Sequence, residues 1–314
     1  MSQLDKIDQK LVAELDRNPI IPITTLAHKI KISQQAASYR LARLETNQTI
    51  SKFGTIINLK VLGLEHYRIF FTFNTTKYNT NDIFEYLKKQ PSTYWAARIG
   101  GRYDLLLVLF VKDFEEFDRT LANFNVKFPR LIKDYKACYG TLHALHHHRF
   151  LTSDHTSLQY GYNDKNQNID ATDIQILRIL KDNCRTPALQ IGKQLNINYK
   201  TVLNRIRNME KSKVILGYRL FIKQNAIPPS IILFSYKNYS QTSEQELISF
   251  LAARPEVTQQ VRLFGIWNLF VHLRTRSPED TQKFIIQTRE KFELIDSYEV
   301  IPVFEDITIN LLPL

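Results

Sequence analysis

Two runs of side chains in this 314-residue chain carry the amide, hydroxyl and basic groups that contact nucleic acids. Residues 33–40 read SQQAASYR, and residues 198–205 read NYKTVLNR. Gln and Asn can each form two hydrogen bonds with adenine, whereas hydroxyls and basic groups more often hold phosphate. Because a recognition helix inserts its N-terminal half into the major groove, the first residues of each run are the expected base contacts.

The candidate DNA-binding residues lie at the start of these runs and on the helical turns that follow. They are Ser33, Gln34, Gln35, Ser38, Tyr39, Arg40 and Arg43 in the first copy, and Asn198, Tyr199, Lys200, Asn204, Arg205, Arg207 and Lys211 in the second. The later cations, Arg43, Arg207 and Lys211, are expected on the phosphate backbone.

Two alternatives to direct DNA contact stay open for these residues. Arg40 and Arg205 could instead form ion pairs with acids such as Asp8 and Asp173 and brace the surrounding helices. Gln34 and Gln35 could form a solvated helix face with no role in recognition.

Both runs belong to a duplicated segment, because residues 7–53 align without a gap onto residues 172–218. Asp8 meets Asp173, Arg40 meets Arg205, and the apolar positions between them agree in kind. Internal repeats define architecture before any other feature. A chain with two copies of one unit is therefore expected to behave as an intramolecular pseudo-dimer, with further homo-oligomers left open.

Hydrophobic spacing predicts three helices at the start of each copy. In the first copy they cover residues 5–17, 23–31 and 34–46, with Ser33 as the N-cap of the third. In the second copy they cover residues 170–182, 188–195 and 199–211, with Asn198 as the cap. Three helices with a tight turn between the second and third define a helix-turn-helix unit.

The remainder of each copy predicts the order β-α-β-β-α-β, which is the ferredoxin-like arrangement. The predicted fold class is therefore α+β, with two copies of a winged helix-turn-helix plus a ferredoxin-like βαββαβ domain. The predicted helix-turn-helix domains are residues 1–60 and 169–224, the ferredoxin-like domains are 61–150 and 225–314, and the linker is 151–168. Tyr160 and Tyr162 indicate that part of this linker docks against a domain. Residues 105–111 (LLLVLFV) have no polar alternation, so both faces of that sheet need cover, and the sheet of the other copy is the nearest candidate.

Composition narrows the class of partner. The net charge of +11 favours an anionic partner, either nucleic acid or an acidic membrane surface, with solubility alone as the other explanation. Cys138 and Cys184 are too few for a disulfide framework, and no stretch approaches the ~18 apolar residues of a membrane span. A cytoplasmic protein with no membrane partner is expected.

The ordered motifs of both copies resemble the leucine-responsive regulatory protein/AsnC family of transcription factors. They are Leu4-Asp5-Lys6-Ile7-Asp8, Leu26-Ala27, Ile32-Ser33, Arg40 and Leu44-Glu45, their weaker counterparts in the second copy, and the turn Gly101-Arg102-Tyr103-Asp104. The resemblance implies a regulator that binds double-stranded DNA and an amino-acid or other small effector at Gly101, Tyr103 and Asp104. In the second copy this turn has drifted to Gly265-Ile266-Trp267-Asn268. Because the two recognition helices differ, we expect an asymmetric operator with unlike half-sites about one helical turn apart.

Other interpretations remain beside this one. Residues 255–259 resemble the Pro-Glu-Val-Thr-His segment of sirohaem decarboxylases, but Gln259 stands where their His is expected and Trp95 is its counterpart in the first copy. His143, His146, His147, His148 and His155 suggest a metal site, yet consecutive strand residues point to opposite faces and cannot converge on one ion. A pure interaction module is a third possibility, against which the basic third helix of the second copy argues. The sequence thus predicts no catalytic residue, no metal and no cofactor, and a chain that is not an enzyme.

Overall fold

The computed structural model describes residues 4–74, 79–147, 157–161, 164, 167–222 and 229–314. It divides into two compact units that each take segments from both copies. The helical unit comprises residues 1–58, 147–158 and 166–226, and the α/β unit comprises residues 59–146, 159–165 and 227–314. Like domains of the two copies are therefore grouped together.

The elements follow one another in the same order in both copies. The first copy contains α1 (Lys6–Arg17), α2 (Ile23–Ile30), α3 (Gln34–Thr46), β1 (Ile50–Ile57), β2 (Glu65–Phe73), α4 (Thr80–Lys89), β3 (Thr93–Ile99), β4 (Leu105–Val111), α5 (Phe114–Lys127) and β5 (Ile132–His146). After β6 (Ser157–Gly161), the second copy contains α6 (Ala171–Leu180), α7 (Ala188–Leu195), α8 (Tyr199–Lys211), β7 (Ile215–Ile222), β8 (Ser230–Tyr236), α9 (Gln241–Ala253), β9 (Val257–Phe264), β10 (Leu269–Leu273), α10 (Pro278–Lys291) and β11 (Ile295–Ile309).

Local capping fixes the ends of the recognition helices. Ser33 accepts a hydrogen bond from the Ala36 amide, and Asn198 accepts one from the Lys200 amide, so both predicted N-caps are confirmed. The predicted spans of α3 and α8 match the structure. Helix α6 ends at Leu180, two residues before its predicted end.

The strand after each recognition helix pairs with its counterpart from the other copy. β1 and β7 form an antiparallel ribbon, in which Thr55 lies opposite Tyr218. The hydrophobic core of the helical unit likewise joins Leu11 and Leu15 of the first copy to Leu220 of the second. The strand that follows each helix-turn-helix unit thus forms its backbone hydrogen bonds with the equivalent strand of the other copy.

The α/β unit contains a sheet in the order β2-β4-β3-β11-β8-β10-β9-β5-β6, and an additional β2–β5 pairing closes it. Among the described residues, eight strands from β2 round to β5 therefore form a closed circuit, which we call the closed sheet. Helices of each copy cover its outer face through two separate hydrophobic clusters. Inside it, Phe70 of the first copy meets Trp267 of the second, with 5.1 Å between ring centroids. The facing of the two sheets follows the expectation, and closure removes edges that open sheets leave exposed.

The segment predicted as a linker contributes strand β6, which contains Tyr160. β6 lies at the end of the sheet beside β5, and Tyr160 is buried. Its ring stacks on His143 with 4.4 Å between centroids. Burial of this aromatic surface stabilises a segment whose polar composition predicts a loop.

No helix in the described part of the chain is long and apolar enough to cross a membrane.

Candidate nucleic-acid interface

The first recognition helix turns its apolar stripe inward and its polar residues outward. Ala37 and Leu44 are buried on one face of α3. The predicted contact residues Ser33, Gln34, Gln35, Ser38 and Tyr39 are all exposed, and 69% of the Tyr39 surface is open to solvent. The N-terminal half of α3 is therefore free to approach a groove.

The second recognition helix has the same orientation but a different surface. Val202 and Met209 form its buried stripe. Its exposed residues are Asn198, Tyr199, Lys200, Asn204, Arg207 and Lys211. We call the exposed faces of α3 and α8 head one and head two.

The cations of head one are engaged in ion pairs with aspartates of α1 and its N-cap. Nη1 of Arg40 lies 2.6 Å from Oδ2 of Asp5 and 2.7 Å from Oδ1 of Asp8. Arg43 donates to the other oxygen of Asp8, a residue that is only 1% exposed. The hydrogen bond from Arg40 holds the pKa of Asp5 below its usual value. The structure thus pairs both guanidinium groups with aspartates, while 40% of the Arg43 side chain stays exposed.

We call the ion pairs of Arg40 and Arg43 with Asp5 and Asp8 the brace, and head two has a smaller version of it. Nη1 of Arg205 lies 2.7 Å from Oδ2 of Asp170 and 3.0 Å from Oδ1 of Asp173. The backbone amide of Asp173 and the Arg205 guanidinium lower the pKa of Asp170. Asn208 occupies the position of Arg43, so the second cation of the brace is missing.

Head two instead carries its basic groups in the open. Lys200, Arg207 and Lys211 are exposed and form no ion pair among the described residues. At the aligned positions head one has Gln35, Ala42 and Thr46. Cations available for phosphate are therefore concentrated on head two, whereas head one offers neutral amides, hydroxyls and a phenol.

Contacts between the copies hold the two heads in one unit. Oγ1 of Thr55 donates to the Leu180 carbonyl at 2.8 Å, and Nη1 of Arg185 donates to the Pro19 carbonyl at 2.6 Å. The sequence predicted Asp8 and Asp173 as possible ion-pair partners of Arg40 and Arg205. It did not predict that Asp5 and Asp170 would also pair with them. Nothing in the sequence signalled the Arg185 contact.

The predicted effector turn has structural roles in this conformation. Gly101 adopts a φ of 82° that favours glycine, and Tyr103 is 2% exposed, packed against Phe70 and Trp267. Asp104 accepts a hydrogen bond from the Phe73 amide at 2.7 Å. In this conformation Tyr103 is therefore packed inside the sheet, whereas Gly101 and Asp104 are exposed.

The second copy shows why this turn could drift. Asn268 accepts a hydrogen bond from the Tyr236 amide at 2.8 Å, so it replaces a carboxylate oxygen with an amide oxygen in the same position. Trp267 is buried like Tyr103. The turn therefore keeps its geometry without the acid.

The histidines near the end of the first copy do not converge. His143 stacks on Tyr160, whereas His146 contacts the Gln260 amide and His147 lies 3.9 Å from Asp16. His148 and His155 lie outside the described residues. Within the described ranges, no group of three or more His, Cys, Asp or Glu side chains could hold a metal ion.

The remnant of the decarboxylase-like segment lies on β9. Gln259 is half-buried opposite His272, and the Oγ1 atom of Thr258 lies 2.6 Å from Nδ1 of His272. Trp95, its counterpart in the first copy, donates to Asp306 at 2.8 Å. Both positions thus carry side chains other than histidine.

Two helix-turn-helix units joined through their strands, followed in each copy by a ferredoxin-like domain, define the class of this protein. The AsnC-type helix-turn-helix domain matches the chain twice, at residues 4–45 and 169–210. An uncharacterized HTH-type transcriptional regulator of Pyrococcus horikoshii is 31% identical over 126 residues, which cover 38% of this chain and 81% of that protein. The regulatory protein AsnC of Haemophilus influenzae is 25% identical over 151 residues, covering 45% of this chain and 97% of that protein. The chain belongs to the Lrp/AsnC family of transcriptional regulators, as a tandem duplication of the unit.

A solved structure shares the architecture over nearly the whole chain. The siroheme decarboxylase NirDL superimposes with a TM-score of 0.65 at 13% identity, covering 96% of this chain and 92% of that chain. At this identity the likeness shows the fold alone.

Proposed function

We propose that this chain regulates transcription by reading an asymmetric operator with two unlike heads on one polypeptide. The observation that carries the proposal is the exposure of both recognition helices within a single unit, each with its polar N-terminal half in solvent. Membership of a family of helix-turn-helix regulators supports DNA as the partner.

The difference between the heads supports unlike half-sites. A homodimer presents two identical recognition helices and prefers a palindrome. Here Gln35 faces solvent where the other head has Lys200, and Ala42 stands where the other has Arg207. Head one is suited to amide-mediated recognition of adenine, while head two adds charge that holds phosphate.

The divided charge gives each head a separate signature in binding measurements. Every phosphate contact adds about 0.9 to the slope of log K against log salt, so three cations contribute about 2.7. Loss of Lys200, Arg207 and Lys211 therefore lowers this slope by about 2.7. The fall in affinity between 50 and 200 mM salt then becomes about 40-fold smaller than for the wild-type chain. Loss of Gln34 and Gln35 changes the preferred sequence of one half-site and leaves the slope unchanged.

Binding-site selection on random duplex DNA at two salt concentrations tests this proposal. The wild-type chain is expected to select two half-sites of different sequence about one helical turn apart. The triple variant K200A/R207A/K211A is compared with K89A/K127A/K283A, which removes the same charge from exposed positions of the α/β unit. A perfect inverted repeat, or equal losses of salt slope in the two triple variants, contradicts the proposal.

The proposal includes modulation by a small effector, with an amino acid as the class that the family resemblance implies. Gly101 and Asp104 are exposed for such a contact, whereas engagement of Tyr103 requires that ring to leave its packing against Phe70. Selected DNA titrated with the chain in the presence of each amino acid tests this. No change in affinity with any of them contradicts it.

We propose no catalytic role, because Gln259 stands where the decarboxylase-like segment has its histidine and Trp95 stands at the aligned position. Mixing the chain with sirohaem tests the alternative. A bound-tetrapyrrole spectrum, followed by decarboxylation, would favour the enzyme.

A further inference from the structure

A buried arginine inside the closed sheet has no anionic partner. Arg68 on β2 is 1% exposed, and it forms no ion pair with any carboxylate that the structure describes. Its Nε and Nη1 atoms have no hydrogen-bond partner among the described residues. The guanidinium lies over the Phe270 ring, 3.8 Å from the centroid, which provides a cation–π contact but accepts no in-plane hydrogen bond.

Burial without a partner is costly for this side chain. An isolated charge in a low-dielectric interior loses its hydration, and native proteins pair such charges. Burial lowers the pKa of Arg68 to about 9, so the group stays charged at neutral pH. The interior of the closed sheet therefore carries an uncompensated positive charge.

Further donors surround the same place. His66 precedes Arg68 by two residues and shares its face of β2. It is 3% exposed, and neither ring nitrogen has a hydrogen-bond partner among the described residues. His143 lies against it with 4.3 Å between ring centroids, and Tyr160 of β6 stacks on His143. Burial, His143 and Arg68 lower the pKa of His66, so its neutral ring can donate one N–H to an anion.

The second copy shows that the fold does not need this charge. The carbonyls of Phe71 and Phe234 accept equivalent hydrogen bonds from Asp104 and Asn268, so the position three residues earlier is Arg68 in one copy and Ile231 in the other. Ile231 is fully buried. An apolar residue thus fills the equivalent place, and Arg68 adds a charge that packing does not require.

We propose that the interior of the closed sheet binds a small monocarboxylate, held by Arg68 and His66. A planar guanidinium matches the geometry of a carboxylate and is its most frequent partner in buried sites. The site lies in the α/β unit, and its occupancy does not depend on the DNA-binding proposal.

Thermal unfolding with defined anions tests this site. The full chain is melted in chloride-free buffer to which sodium formate, acetate or propionate is added. A separate sample receives sodium chloride at the same ionic strength. A saturable rise of about 3–6 °C at ten times Kd is expected for a carboxylate, with a smaller rise for chloride. Equal rises for chloride and carboxylates overturn the assignment of the ligand class.

Two variants locate the effect. Arg68→Ile installs the residue type of the second copy and is expected to abolish the rise, whereas Arg119→Ile on the exposed surface of α5 is expected to retain it. If Arg68→Ile does not fold, ¹³C-formate titrated into the wild-type chain is followed by NMR. Absence of a saturable shift there, or an undiminished rise in Arg68→Ile, overturns the proposal.

Discussion

The brace between α1 and α3 makes a quantitative prediction about stability. Asp8 is 1% exposed and accepts hydrogen bonds from both Arg40 and Arg43. Removing one partner of a buried ion pair costs about 3–5 kcal/mol. Since Arg40 and Arg43 are 22% and 40% exposed and can be rehydrated, we discount this to about 2 kcal/mol for Asp8→Asn.

The second copy provides the matched control. The side chain of Asp173 is 14% exposed, and its ion pair is with Arg205 alone among the described residues. Asp173→Asn is therefore expected to cost about 1 kcal/mol or less. The difference between the two variants tests the doubled brace directly, because the substitution and the fold position are the same.

Urea unfolding can follow each unit separately. The two tryptophans, Trp95 and Trp267, both lie in the α/β unit, so their fluorescence reports that unit while circular dichroism at 222 nm includes the helical unit. With a typical m value, Asp8→Asn is expected to lower the helical midpoint by about 1 M and to leave the fluorescence transition unchanged. Equal midpoints for Asp8→Asn and Asp173→Asn would refute this reasoning.

Three further predictions concern individual contacts. Burial holds the pKa values of His66 and His143 well below the ordinary value, so only the unfolded chain gains protons on these groups as the pH falls below about 6.5. The free energy of unfolding is therefore expected to drop by up to about 1.4 kcal/mol per pH unit for each histidine. Fluorescence-detected urea melts at pH 7 and 5.5 measure this drop, which should be smaller in His66→Phe. Asp104→Ala leaves a backbone amide without its acceptor and is expected to cost about 1 kcal/mol, whereas Asp104→Asn keeps the acceptor and costs little; equal costs would count against that hydrogen bond. Thr55→Val removes the donor to the Leu180 carbonyl between the copies and is expected to destabilise the helical unit by about 1–3 kcal/mol in circular-dichroism melts, with Ser51→Ala at a more exposed hydrogen bond as the smaller control.

Local signals in the sequence predicted the helices well. Ser33 and Asn198 cap α3 and α8 by contacts within three residues, so their positions follow from the sequence alone. The repeat likewise indicated that two similar domains would pair. The Lrp/AsnC assignment from the ordered motifs is confirmed by the matches at both helix-turn-helix units.

Contacts between distant segments could not be predicted in this way. The β1–β7 ribbon and the closure of the sheet through β2 and β5 depend on three-dimensional packing between elements far apart in the chain. Tyr160 indicated that part of the linker docks, but the polar composition of the segment gave no sign that it forms strand β6 beside β5. For Arg40 and Arg205 the sequence left either a DNA phosphate or an aspartate possible as the partner. In the structure both guanidinium groups form ion pairs with aspartates.

Affinity cleavage from matched positions of the two heads tests the central proposal most directly. Gln35→Cys and Lys200→Cys place a thiol for an iron chelate at aligned, exposed sites, while Cys138 and Cys184 are buried. On the selected duplex, the two derivatives are expected to cut different sequences whose centres lie about one helical turn apart. Cleavage from only one derivative, or identical patterns from both in either orientation of the duplex, would contradict a chain that reads DNA with two unlike heads.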